Sequence, residues 1–101
     1  MFGYAGTMKT KIAPDARRMK ALGHPVRLGI AVQLAATPET CACDFADVFG
    51  VSQPTVSEHL RVLREAGLVT TRRRGTQICY SLDAGAMAEM RGLLDRLQPA
   101  A

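Results

Sequence analysis

The stretch "FADVFGVSQPTVSEHLRVL" constrains this chain more than any other. From about Cys41 to Phe49, the residues Phe45, Val48 and Phe49 recur at helical spacing. Gly50 ends that short helix, and two residues later Ser52 is a natural N-cap, with Pro54 tolerated in the first turn of the helix that follows. Val56, Leu60 and Leu63 then form a single apolar stripe before Gly67 stops the helix. Two helices separated by so short a turn must cross rather than run on, and both must bury their stripes in one core. This is the grammar of a helix-turn-helix.

The rest of the chain builds around that unit. Residues 1–13 read as a flexible N-terminal arm, and the folded domain is expected over 14–98 with a tail at 99–101. "DARRMKALGH" predicts a helix stopped at Gly23, and Pro25 opens a second helix carrying Leu28, Ala31, Val32 and Leu34. After Gly67, "LVTTRRRGTQICYSL" places β-branched and alternating residues on both sides of Gly75, which predicts two antiparallel strands with a basic tip, a wing. Alternation puts Ile78, Tyr80 and Leu82 on one face of the second strand and Gln77, Cys79 and Ser81 on the other. Asp83 can cap a last helix in which Met87, Met90, Leu93, Leu94 and Leu97 recur at helical spacing. The expected fold is mainly α with a small β-hairpin, a winged helix-turn-helix of order α-α-α-α-β-β-α. The last stripe exceeds what a lone helix after a wing needs, so Met87, Met90, Leu94 and Leu97 predict a homodimer interface shared with the first helix.

At 101 residues the chain holds one core, and its 48% hydrophobic and 22% charged content is ordinary for a globular domain. No apolar run approaches the roughly 20 residues of a membrane span. The opening "MFGYAGTMKTKIAP" lacks the apolar block of a secretory signal, which predicts a cytoplasmic protein and reduced thiols. The net charge of +4 favours a polyanionic partner such as double-stranded operator DNA, although so modest an excess can also serve solubility alone. In a helix-turn-helix the second helix enters the major groove, so the residues opposite its stripe, Gln53, Thr55, Ser57 and His59, with Ser52 at its start, are the candidates to meet bases. Arg61 and the wing residues Arg72, Arg73 and Arg74 are placed to meet phosphate. His24, in "GHP" at a helix junction, is expected to cap or pack rather than to ligate.

Three segments together, "MKALGHPVRLGI", "CACDFADVFGVSQPTVSEHLRVLREAGLV" and "RRRGTQICYSL", resemble the ArsR/SmtB family of winged-helix metalloregulatory repressors over roughly residues 15 to 97. The resemblance implies a homodimer that represses its own operon and leaves DNA when an ion binds. Its "CxCD", here Cys41, Cys43 and Asp44, is similar to the metal box of the arsenic and cadmium sensors. The chain also departs from the pattern. Ala46 stands where arsenic sensors often carry a further cysteine, the arm has no cysteine, and the last helix lacks the histidines of the zinc sensors' site.

Residues i and i+2 of a regular helix project about 200° apart, so Cys41 and Cys43 cannot share an ion while the helix start is intact. Binding would distort it and shift the recognition helix. Soft thiolates without a neighbouring histidine suit arsenite or antimonite better than zinc, nickel or cobalt. Cys79 is either a bystander of the wing or the third sulfur. Cadmium or lead sensing, and thiol oxidation or persulfide formation on the same repressor fold, remain the alternatives. A dithiol oxidoreductase is disfavoured, because no CxxC stands at a strand-to-helix junction.

Overall fold

The computed structural model describes residues 5–100. The elements run α1 (Ala5–Leu22), α2 (Pro25–Ala36), β1 (Thr40–Cys41), α3 (Ala42–Phe49), α4 (Gln53–Glu65), β2 (Val69–Arg74), β3 (Gln77–Leu82) and α5 (Ala84–Arg96). The expected order is present, with one short strand added.

The helix starts and stops follow local chemistry. His24 caps α2, its Nδ1 accepting the Val26 N–H at 3.1 Å, as expected of a histidine at that junction. Ser52 caps α4 by accepting from the Thr55 N–H, and Asp83 caps α5 by accepting from the Ala86 N–H at 2.8 Å. Gly50 (φ 64°) takes the left-handed conformation that ends α3. Cys41 occupies the N-cap position of α3 without a side-chain cap bond.

Val56, Leu60 and Leu63 of α4 are fully buried, with Phe45 of α3, Ile30 and Leu34 of α2, and Leu68 after α4. These residues form one core with Ala21, Val69, Ala86 and Met90. Gly29 lets α2 approach α3 closely, since a Cβ there would lie 2.6 Å from Cε1 of Phe49.

Four expectations are corrected. The first helix starts at Ala5, well before Pro14, which lies inside it; residues 1–4 of the expected arm lie outside the described residues. Met8 and Ile12 stay exposed, so they make no stripe toward the chain's own core, which is why residues before Pro14 read as an arm. In α2, Leu28 and Val32 face outward and Ile30 replaces them in the core. In α5, Met90 is buried in the core with Met87 packed against it. Leu94 and Leu97 remain exposed.

The fourth correction concerns the wing. The sheet has order β1-β3-β2, antiparallel throughout, so β3 is its central strand. The alternation holds, with Tyr80 and Leu82 packed against the core, but Cys79 on the other face is buried at 1% exposure rather than an exposed bystander, while Ile78 is 44% exposed. Cys41 of β1 stands opposite Cys79 on that face and their sulfurs meet, whereas the Ile78 end projects with the wing.

Candidate DNA interface and thiol site

Gln53, Thr55 and Ser57 are exposed on α4, opposite its buried stripe. Ser52 is exposed too, but its hydroxyl lies 2.9 Å from that of Thr55 and serves the cap. His59 is different. Its ring turns toward α2 and lies 4.4 Å from the ring of His24, and burial, followed by the His24 and Arg27 charges, lowers its pKa.

The four candidate phosphate contacts divide in the same way. Arg61 is tied to Glu58 and Glu65 on its own helix, and those carboxylates hold its pKa above the usual value. Arg72 and Arg74 both donate to Glu39, at 3.0 Å to one carboxylate oxygen each. Arg73 is exposed and has no ion pair among the described residues. Strand alternation explains the split, because Arg72 and Arg74 share one face of β2 and Arg73 occupies the other.

The thiols are arranged by β1, the element that sequence reasoning missed. Cys41 pairs directly with Cys79 across the antiparallel ladder, and their sulfurs lie 2.8 Å apart. The Cys41 thiol also donates to the Gln77 side-chain oxygen at 3.2 Å. The hydrogen bond with Cys79, aided by desolvation and by the nearby negative groups, pushes the Cys41 thiol pKa up to about 11. Cys43 lies in the first turn of α3, exposed, 3.8 Å from Asp44. Cys41 precedes the helix, so the two cysteines of the CxC are not separated by helical geometry as expected. The gathered pair is Cys41 with Cys79. No three His, Cys, Asp or Glu side chains among the described residues stand close enough to hold a metal ion.

Cys41 and Cys43 border a depression of about 330 Å³ that Ser57, Gln77, Ile78 and Tyr80 also line. Ser57 belongs to the recognition helix and Gln77 to the wing. One concavity therefore meets the thiols, the helix that would read bases and the hairpin that would meet phosphate. Gln77 was legible only as a wing residue, since a two-residue strand such as β1 carries no periodicity to reveal the pairing.

A capped helix with an exposed polar face, set on a short scaffold helix and followed by an arginine-tipped hairpin, defines a winged helix-turn-helix DNA-binding protein. No helix among the described residues is long and apolar enough to cross a membrane. The chain belongs to the arsR family of bacterial regulatory proteins, whose sequence pattern matches residues 24–71. The arsenical resistance operon repressor of Bacillus subtilis is 37% identical over 78 residues, covering 77% of this chain and 71% of that protein. A crystal structure described as a "possible transcriptional regulator for arsenical resistance" superposes with a TM-score of 0.74 at 34% identity, covering 82% of this chain and 85% of that one. The solution structure of a homodimeric winged helix-turn-helix DNA-binding domain from Mycobacterium bovis gives 0.72 at 31% identity, covering 87% and 81%. The chain is thus a DNA-binding transcriptional repressor of this family.

Proposed function

We propose that this repressor leaves its operator when trivalent arsenic or antimony is bound by Cys41, Cys79 and Cys43. The observation that carries the reading is the pair of sulfurs 2.8 Å apart, of which Cys41 lines a concavity shared with Cys43 and the recognition helix. Metal–sulfur bonds of about 2.3 Å set two sulfurs on one ion roughly 3.5 Å apart, so the pair need open only slightly. Cys43 must swing in, and because it lies in the first turn of α3, its movement tugs on the scaffold of α4. Arsenous acid condenses with three thiols to give three As–S bonds and three waters, so it accepts protonated thiols as they stand.

The working unit is a homodimer in the cytoplasm. Met8, Ile12 and Met19 of α1, Leu94 of α5 and Leu97 at the C-cap of α5 are exposed apolar residues on helices that pack together. The Arg18–Glu89 and Arg96–Asp15 ion pairs join α1 to α5. Arsenite titrated against a labelled DNA complex tests the reading. The parent should release DNA, and Cys41→Ser, Cys43→Ser and Cys79→Ser should stay bound; release at parental arsenite by all three removes the thiol site.

A second reading follows from the same pair. Cys41 and Cys79 face each other across the ladder, and a peroxide could oxidise the two thiols to a disulfide while itself being reduced to water. Cys43 takes no part in that bond. Loss of arsenite response in Cys43→Ser, with peroxide response kept, separates the two signals.

A further inference from the structure

We infer that Glu39 is a built-in competitor of DNA phosphate for Arg72 and Arg74, and that it links the wing to the thiol site; the link rests on the function proposed above. Glu39 is the one non-glycine among the described residues with a left-handed backbone, at φ 61°. Its N–H donates to Ser81 Oγ at 3.1 Å, and the next residue, Thr40, is buried with its hydroxyl donating to the Thr37 carbonyl at 2.6 Å. The backbone that presents the carboxylate is therefore fixed at both sides.

One carboxylate oxygen takes Arg72 and the other takes Arg74, each at 3.0 Å. The same guanidinium N–H groups would be needed by a DNA phosphate. Both arginines keep most of their surface exposed, at 72% and 60% of the side chain, so the ion pairs are solvent-screened and exchangeable. Such a contact competes with phosphate rather than locking the wing.

The register joins this clamp to the cysteines. Arg72 lies opposite Cys79, which lies opposite Cys41, so thiol pair and wing arginine occupy one rung of the sheet. Two rungs along, on the same face, Arg74 faces Gln77, whose side-chain oxygen accepts the Cys41 thiol. Glu39 is two residues from Cys41. An ion that anchors Cys41 and Cys79 also anchors β1 against β3, which holds the carboxylate on the arginines and withholds them from DNA.

The test uses the full chain, as parent, Glu39→Gln, Arg72→Gln/Arg74→Gln and the triple variant, on a labelled duplex of mixed sequence without ion. Each phosphate neutralised adds about 0.9 to the slope of log affinity against log salt, so freeing four arginines in a dimer raises it by up to about 3.6. Glu39→Gln should bind more tightly with a steeper slope, and the gain should vanish in the Arg72→Gln/Arg74→Gln background. An unchanged slope, or a gain that persists without the arginines, overturns the competition. Arsenite is then added to the parent and Glu39→Gln complexes. Weaker release from Glu39→Gln is expected; equal release breaks the link but leaves the thiol site standing. If the parent itself keeps its DNA, thiol site and link both fall, and the salt arm alone decides the competition.

Discussion

Replacing Arg73 by alanine removes the wing cation that no carboxylate holds among the described residues. It lies opposite Ile78 in the β2–β3 ladder, next to the Gly75 turn, where its guanidinium is free to reach a phosphate. One contact per wing is two per dimer, so the slope of log affinity against log salt should fall by about 1.8. Over a fourfold rise in salt, from about 50 to 200 mM, the ratio of parent to variant affinity should then shrink by about 12-fold. Phosphate contacts carry no base information, so the change should be the same on operator and on mixed-sequence DNA. Gln53→Ala should do the opposite, leaving the slope alone and costing about 1–3 kcal/mol on operator only. Fluorescence anisotropy across a salt series reads both. Arg73 is exposed, so its unfolding free energy should stay within about 0.5 kcal/mol of the parent. Parallel salt plots for parent and Arg73→Ala, or a slope change confined to operator, would refute the assignment of Arg73 to phosphate.

Leu94→Glu with Leu97→Glu should give folded monomers with weakened DNA binding, whereas Met90→Glu should unfold the chain because Met90 belongs to its own core; sedimentation and circular dichroism together distinguish the two. Phe45→Ala, at a fully buried position of the scaffold helix, should cost about 3–5 kcal/mol in urea unfolding, and a loss below about 1 kcal/mol would mean α3 is not held by that ring. With the Cys41 thiol raised to about 11, cadmium must expel its proton, so cadmium affinity should climb with pH by up to about tenfold per unit for each proton released between about pH 6 and 8. Arsenite condensation releases water and no net proton, so its affinity should stay level over that range, as competition titrations can show.

The helix-turn-helix and the wing are legible in the sequence because their signals are local. Gly50, Ser52, Pro54 and the Val56–Leu60–Leu63 stripe act within one or two turns, so each is decided by the backbone and side chains of its near neighbours. The same is true of Asp83 as a cap and of Gly75 at the tip. The cysteine pair also stood out as unusual, but its geometry did not. A strand of two residues has no period to detect, and β1 exists because β3, far along the chain, offers it an edge. That pairing alone moves Cys41 out of the helix, brings Cys79 from the far wing to its sulfur, and buries a residue that alternation assigned to the other face.

Which face of α1, α2 and α5 would be covered was likewise undecidable from periodicity. Leu28, Val32 and Leu94 are as apolar as Ile30, Leu34 and Leu93, and a helix with apolar residues all around can be rolled either way until its neighbours are in place. The sequence by itself determined where the chain turns, caps and stops, because those choices are local. Only the tertiary structure decided which thiols meet and which arginines Glu39 holds, because those contacts join residues separated by more than thirty positions and depend on the register of a three-stranded sheet.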